Sequence, residues 1–134
     1  MDPVLRGLFA SPARLANTGL APDLTERLFE AAHAVALDLG ALNIQRGRDH
    51  GLPPYTAWLN HCGLGGPGNG WAGVAGLVTG PGLARLQAAY TDPDTVDLWA
   101  GLVVEARVEG GRVGPTTRCL LVDQFRWQPT HHNV

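Results

Sequence analysis

The sequence predicts a mostly α-helical fold with long loops, and two observations carry that prediction. Several segments place apolar residues at the spacing of one helix face, and start signals precede them, such as the capping box formed by Asp23 and Glu26. The 18 glycines and 10 prolines among 134 residues exceed ordinary usage, so many loops are expected. The length is sufficient for one domain with one hydrophobic core.

Charge and hydropathy exclude several classes of partner. A net charge of −2 gives no electrostatic footprint for nucleic acid or for an anionic membrane surface. No apolar stretch approaches the roughly 20 residues of a membrane-spanning helix. The first residues lack the basic and apolar regions of a signal peptide. The sequence therefore predicts no nucleic-acid interface and no membrane span, and no signal peptide is visible in it.

A first helix is predicted after Asp23, and it should run to about Leu37. Its apolar side chains recur at helical spacing and should share or border one face: Leu24, Leu28, Phe29, Ala32 and Val35. A second helix is predicted over residues 39–45 and should end near Gly47, because glycine favours the left-handed conformation that ends many helices. The first half of the domain should therefore begin with two helices in succession.

A third helix is predicted over residues 55–62, with Trp58 on its apolar side. Pro53 and Pro54 stand immediately before it, where proline suits a helix start. Residues 63–70 then form a glycine-rich loop. The pattern G-x-G-x-x-G occurs twice, but neither copy follows a credible strand, and no Lys-Ser/Thr pair marks a phosphate-binding loop. A flexible connector is the better interpretation than a nucleotide site.

The second half of the chain predicts a short amphipathic helix over residues 82–90. Leu83 and Leu86 should point inward, while Arg85 and Gln87 should point to solvent. Asp92-Pro93-Asp94 reads as a turn and the start of a further helix before the apolar residues Val96, Leu98 and Trp99.

The final segments are less regular. Residues 102–105 are compatible with a short strand, and residues 107–112 with a turn. Pro115 should start a last helix, whose side chains include Cys119, Leu120, Leu121 and Phe125. From Trp127 onward the chain has no periodicity and is expected to fray.

Cys62 and Cys119 are the only two cysteines. They are compatible with free thiols, with a disulfide or with half of a metal site. The absence of a C-x-x-C spacing argues against zinc. A disulfide would close a loop of roughly 60 residues and stabilise the fold by about 4 kcal/mol on the chain-entropy model. The residues alone favour neither the thiols nor the bond.

Residues 37–53 contain the densest set of specific polar groups. On a helix, Leu39, Leu42, Asn43 and Arg46 share one face. Two leucines, an amide and a guanidinium suit a flat apolar ligand with an anionic edge, because arginine pairs with carboxylates in a bidentate way.

A simpler structural alternative is favoured by the residues alone. In it Asn43 caps a neighbouring backbone and Arg46 pairs with Asp49 or another acid. His50, in the turn beside Asp49, is compatible with a ligand or a base, but a histidine in such a turn is more often a structural hydrogen-bond donor.

The same residues resemble the signature of the animal haem peroxidase family. The run at residues 42–53, followed by Tyr55, Trp58 and the Cys62-Gly63-Leu64 triplet, carries the resemblance. Further matches lie in order along the chain, at residues 2–8, 11–15, 24–29, 97–99, 111–115, 119 and 124–125. The sequence of the matched segments looks most similar to the peroxidasin branch of the family. The resemblance implies that residues 1–125 are the C-terminal part of an all-α haem peroxidase domain, with residues 126–134 a divergent, disordered tail.

The resemblance implies a role for each matched residue. Asn43 corresponds to the asparagine that accepts the Nδ1–H of the proximal haem histidine, and Arg46 to the arginine that pairs with a haem propionate. Leu39 and Leu42 correspond to pocket-lining positions. Cys62 and Cys119 correspond to a family disulfide, which implies an extracellular or secretory compartment.

The resemblance also implies what these residues do not supply. The proximal and distal histidines, the distal arginine, the acids that esterify haem and the calcium loop of the family match no position here. His50 lies in the turn of the signature, and the remaining histidines match no iron ligand: His33, His61, His131 and His132. No catalytic residue and no metal ligand is therefore predicted in this chain.

The resulting hypothesis is a partial haem peroxidase. The whole enzyme would use haem and hydrogen peroxide to oxidise a halide or an organic donor, and the remainder of the peroxidase domain would be its partner. The start at Met1 and the departure after Phe125 suggest a fragment, a splice form or a gene-model product. The rival hypothesis is a non-catalytic helical interaction module that has lost haem.

Overall fold

The structure, a computed structural model, describes residues 2–13, 18–30 and 35–127. Within these ranges it contains eight α-helices, one 3-10 turn at Pro93–Thr95 and no strand, which confirms the predicted mostly α fold. The helices are α1 (Asp2–Ala10), α2 (Pro22–Thr25), α3 (Leu39–Asp49), α4 (Tyr55–His61), α5 (Ala72–Ala75), α6 (Gly80–Ala89), α7 (Leu98–Val104) and α8 (Pro115–Trp127).

The first predicted helix is wrong beyond its first turn. Only α2 forms, and its N-cap is Ala21 rather than Asp23. The chain then reverses: Phe29 takes a left-handed φ of 61°, and the Leu37 N–H donates to the Leu28 carbonyl at 3.0 Å. A helix is stabilised mainly by packing its apolar face, and Phe29 lies 56% exposed here. Ala32 lies outside the described residues.

The second predicted helix is confirmed as α3, but it runs four residues further. The Asp38 side chain caps its start by accepting the Ala41 N–H at 3.2 Å. Its end is set by Gly51, whose φ is 62°, and not by Gly47. The Leu52 N–H donates to the Gly47 carbonyl at 2.9 Å, which is the long hydrogen bond of a Schellman motif.

The third predicted helix is confirmed as α4, although its buried face differs. Tyr55 and Leu59 are its buried apolar residues, at 0% and 1% exposure. Trp58 is only half-buried, and its Nε1 donates to the Pro53 carbonyl at 3.2 Å. Helix α4 packs on α7 so closely that a Cβ at Gly101 would overlap the Tyr55 ring.

The glycine-rich loop after α4 is confirmed as a connector, but it is held rather than free. The Gly68 N–H donates to Asp94 Oδ2 at 2.8 Å, and Asn69 Nδ2 donates to the Gly66 carbonyl at 3.1 Å. A phosphate would need backbone N–H groups of this kind, and here a carboxylate occupies one of them. This pairing ties the loop to the 3-10 turn at Pro93–Thr95.

The helix predicted over residues 82–90 is confirmed as α6, with Leu86 buried and Arg85 and Gln87 exposed. The strand over residues 102–105 is wrong. Residues 102–104 belong to α7, because its apolar side chains bury one face of a helix, and only Glu105 forms an isolated bridge, to Val78. The turn over residues 107–112 is confirmed: the Val108 N–H donates to the Val113 carbonyl at 3.0 Å.

The last predicted helix is confirmed as α8, which starts at Pro115. It continues through Arg126 and Trp127, so these two residues are helical and not frayed. Residues 128–134 of the predicted tail lie outside the described residues. The proposed boundary between domain and tail therefore stays a prediction.

The core lies where α4, α5, α6 and α7 meet. Its buried apolar residues are Tyr55, Leu59, Val74, Val78, Leu86, Val96 and Val104. Large apolar side chains outside it remain exposed, and on α1 Phe9 reaches 90%. Exposed apolar surface on this scale is typical of a face that packs on further protein. No helix among the described residues is both long and apolar enough to cross a membrane.

A buried carboxylate joins α7 to α8. Glu105 is 7% exposed, and its carboxylate accepts the Tyr55 hydroxyl at 2.8 Å. It also accepts the N–H groups of Thr116 and Thr117, each at 3.2 Å, at the positive end of α8. Burial and the neighbouring Glu105 raise the pKa of Tyr55 far above its usual value, so the phenol stays protonated. A Cβ at Gly114 would overlap Glu105.

Candidate functional site

A cleft of about 390 Å³ opens between α3 and α7. Its walls are largely apolar, and its polar groups come mainly from α3. The lining residues are Asn43, Ile44, Arg46, Gly47, His50, Leu52, Asp97, Leu98, Trp99 and Leu102. Apolar walls with a few convergent polar groups are typical of a small-molecule or cofactor site.

Asn43 and Arg46 come together at this cleft, as the shared helix face predicted. They lie three residues apart on α3, and neither side chain has a hydrogen bond or ion pair with any described residue. The simpler alternative for Arg46 is wrong, because the Asp49 carboxylate accepts from Gln45 Nε2 at 2.9 Å instead. The cleft therefore presents an amide and a guanidinium that are both available to a ligand.

Leu39 and Leu42 do not line this cleft. Both are half-buried on α3, and the apolar walls come instead from Ile44 and from α7. The sequence pattern on α3 carried no signal for the α7 residues, because they lie about 50 positions further along the chain. Their contribution depends on the packing of α3 against α7.

His50 lines the mouth of the cleft and is exposed. It is the C-cap of α3, and its N–H donates to the Arg46 carbonyl at 3.0 Å. Its ring has no partner among the described residues. His61 lies away from the cleft, where its Nε2 is 2.8 Å from Asp123 Oδ2. His33, His131 and His132 lie outside the described residues.

An ion pair fixes α3 against the start of α7. Arg48 donates to both carboxylate oxygens of Asp97, at 2.9 Å and 2.7 Å, and the Tyr90 hydroxyl donates to the same carboxylate at 2.8 Å. The hydrogen bond from Arg48 holds the pKa of Asp97 below its usual value, against the opposing effect of burial. Because Asp97 lines the cleft, this bidentate pair helps to set the width between the two helices.

We expect Asp97→Asn to lower stability at neutral pH and to remove one source of acid sensitivity. A carboxyl group whose pKa is lower in the folded chain stabilises the fold above its unfolded pKa, near 3.9, and loses that contribution as pH falls through the folded value. The stability gap between the wild type and Asp97→Asn should therefore narrow below about pH 4. Denaturant unfolding from pH 6 to pH 3 measures this gap, and a constant gap would contradict the assignment.

A disulfide joins α4 to α8. The bond between Cys62 and Cys119 closes a separation of 57 residues, with the two Cα atoms 6.0 Å apart. It confirms the pairing that the resemblance implied. The residues alone had left free thiols and half of a metal site open.

Comparison with known proteins decides the family. The family model described as animal haem peroxidase matches residues 1–128. The chain belongs to the animal haem peroxidase family. Peroxidasin from Drosophila melanogaster is 46% identical over 129 residues, which is 94% of this chain and 8% of that protein. Human eosinophil peroxidase is 45% identical over the same share of this chain and 18% of its own length.

The haem peroxidase fold is also supported by a solved structure. Peroxidase A from Dictyostelium discoideum superposes with a TM-score of 0.75 at 31% identity, covering 92% of this chain and 24% of that one. The chain thus spans less than a quarter of each of these relatives. Its described helices correspond to a part of a larger haem peroxidase.

Proposed function

We propose that this chain forms one wall of the haem pocket in a peroxidase domain. In this proposal Arg46 pairs with a haem propionate. The Asn43 amide oxygen accepts the N–H of a histidine ligand that other parts of the whole protein supply. The observation that carries the proposal is that Asn43 and Arg46 lie at the edge of an apolar cleft, where neither side chain has a hydrogen bond or ion pair with a described residue. Membership in the haem peroxidase family supports the identity of the ligand.

The chemistry of the cleft fits haem, which has a flat apolar face and an anionic edge. Ile44, Leu98 and Leu102 provide apolar contact, and the Arg46 guanidinium can form a bidentate pair with a carboxylate. His50 is the only lining residue with an imidazole, and by the family signature it belongs to the turn rather than to the iron. Leu39 and Leu42 do not line this cleft, and a role for them in the remainder of the haem pocket stays a prediction.

In the whole protein, bound haem supplies the redox chemistry by which hydrogen peroxide is reduced and a halide or organic donor is oxidised. The residues of this chain would hold the haem and orient its histidine ligand. An amide oxygen that accepts the ring N–H of the histidine ligand would fix the tautomer of that ring. Because an amide is a weaker acceptor than a carboxylate, the ring would donate less electron density to the iron. Arg46 fixes the haem edge. These roles place Asn43 and Arg46 as positioning residues, and no acid–base step is assigned to them.

We expect the 134-residue chain to bind ferric haem and to lack peroxidase turnover. Arg46→Ala should weaken haem binding by about 10- to 150-fold, because a hydrogen bond to a charged group contributes about 1.5–3 kcal/mol. Absorbance titration of the haem Soret band measures the affinity, and oxidation of a chromogenic donor measures turnover.

Matched controls separate this site from unspecific haem adsorption. Arg85→Ala removes an exposed arginine of α6 and should leave haem affinity unchanged. His61→Gln should leave it unchanged as well, since that ring lies away from the cleft, beside Asp123. Equal losses for Arg46→Ala and Arg85→Ala would overturn the assignment of Arg46. Robust peroxide turnover by the chain alone would overturn the proposal that this chain only positions haem and that other parts of the protein supply the catalytic groups.

An extracellular or secretory location is proposed with this function. The disulfide between Cys62 and Cys119 supports it, because such bonds persist mainly in oxidising compartments. The alternative of a helical interaction module that has lost haem is not favoured, because Asn43 and Arg46 are both retained and both face the cleft.

A further inference from the structure

A second cluster of chemically reactive side chains lies away from the cleft, where α4 meets α8. His61 ends α4, and Cys119 and Asp123 lie one turn apart on α8. One ligand atom from each of these three residues lies within 4.8 Å of the other two. The side chains of His61 and Asp123 are 54% and 40% exposed, so an ion from solvent can reach them.

We propose that reduction of the Cys62–Cys119 disulfide creates a zinc-binding site. The ligands are the two cysteine sulfurs, His61 Nε2 and a carboxylate oxygen of Asp123. Thiolate, imidazole and carboxylate are the three ligand types that zinc prefers in proteins, and four of them complete a tetrahedral site. The missing C-x-x-C spacing does not exclude such a site, because the fold brings its ligands from two helices.

The geometry needs only small movements. The two sulfurs are bonded to each other in the disulfide. Two thiolates on one zinc ion lie about 3.8 Å apart, given Zn–S bonds of about 2.3 Å and a tetrahedral angle. His61 Nε2 and Asp123 Oδ2 lie 2.8 Å apart, and they need to separate to only about 3.3 Å to bind one zinc ion at bonds of about 2.0 Å. Rotation of the cysteine side chains can separate the two sulfurs to about 3.8 Å. The 6.0 Å between the two Cα atoms allows both sulfurs to stay near the imidazole.

The reaction balances with a dithiol reductant. The dithiol gives two electrons and two protons to the disulfide, so the S–S bond breaks, two thiols form and the reductant becomes a disulfide. Zinc binding then releases the two thiol protons to solvent, because the metal is held by thiolates. The bound ion in turn protects both sulfurs from reoxidation. The site therefore couples the redox state of this bond to the presence of zinc.

The test is zinc binding by the full chain in its reduced and oxidised forms. The reduced chain, freed of reductant under anaerobic conditions, should bind one zinc ion in competition with a chromophoric chelator. The oxidised chain should bind at least about tenfold more weakly, a difference of about 1.4 kcal/mol or more. Cobalt in place of zinc should give the intense visible bands of a tetrahedral thiolate site in the reduced chain alone.

Variants separate this site from unspecific binding to other histidines. His61→Gln and Asp123→Asn should each weaken zinc binding by the reduced chain at least about tenfold. The matched substitutions His50→Gln and Asp49→Asn, on α3, should not weaken it. Equal affinity of the oxidised and reduced chains overturns the proposal. So does full zinc affinity in both His61→Gln and Asp123→Asn.

Loss of structure on reduction leaves the proposal testable. If circular dichroism shows that the reduced chain has lost helix, zinc should restore the helical signal in the wild type and in His50→Gln, but not in His61→Gln. Failure of zinc to restore helix in the wild type overturns the proposal. Alkylation of the two thiols gives an independent readout, because a zinc concentration that slows it in the wild type should slow it less in Asp123→Asn.

Discussion

Glu105→Ala is expected to destabilise the fold by about 3 kcal/mol or more, the largest effect of any single substitution outside the disulfide. The Tyr55 hydroxyl and the N–H groups of Thr116 and Thr117 would lose their acceptor. A buried donor left without a partner costs about 1–3 kcal/mol. Denaturant unfolding should show a lower midpoint or no cooperative transition. Glu109→Ala, in an exposed turn, should change stability by less than about 0.5 kcal/mol.

A double-mutant cycle isolates the part played by the Tyr55 hydroxyl. Tyr55→Phe should destabilise the wild type, because it leaves the Glu105 carboxylate with one donor fewer. In the Glu105→Ala background, the same change should cost less or be favourable, because it removes a donor that already lacks an acceptor. Additive effects would contradict a direct hydrogen bond between the two side chains.

Loss of the disulfide is expected to destabilise the fold by about 4 kcal/mol, given a cross-link that spans 57 residues. The physical reason is that the bond restricts the unfolded chain over almost half of the sequence. Denaturant unfolding with and without a reductant measures the effect, and a metal chelator must be present so that zinc does not replace the bond. The double variant Cys62→Ala/Cys119→Ala should match the reduced wild type and should not respond to the reductant.

A change of less than about 1 kcal/mol on reduction would contradict this expectation. It would indicate that α8 is held on α4 mainly by other contacts, such as those of Glu105. The contact between His61 and Asp123 is too exposed to replace a covalent bond, since even exposed charged pairs contribute only about 0–1 kcal/mol.

Apolar residues at helical spacing, and prolines at helix starts, were sufficient to predict α3, α4, α6 and α8. The side-chain caps of α3 and α6, Asp38 and Thr79, were not among the predicted features. The predicted helix after Asp23 had a capping box and an apolar stripe, but the described residues offer its stripe little to pack against. The helix ends at Thr25, and Phe29 then adopts a left-handed conformation where the chain reverses. Propensity alone did not decide this segment, because helices in proteins depend on tertiary packing.

The candidate site was predictable only on the α3 side. The spacing of Asn43 and Arg46 placed both on one helix face, which the cleft confirms. The α7 wall and the ion pair of Arg48 with Asp97 could not be predicted, because they join residues 49 positions apart through packing. Glu105 was missed for the same reason: its partners lie in α4 and α8, and an isolated acid after an apolar run reads as the end of a strand.

Haem affinity compared with the affinity for its dimethyl ester tests the central proposal most directly. The ester keeps the flat apolar ring and the iron but lacks the two carboxylates that Arg46 is proposed to hold. We expect the wild-type chain to bind haem at least about tenfold more tightly than the ester, and Arg46→Ala to bind the two with similar affinity. Equal affinity of the wild type for haem and for its ester would contradict the proposed role of Arg46 at the haem edge.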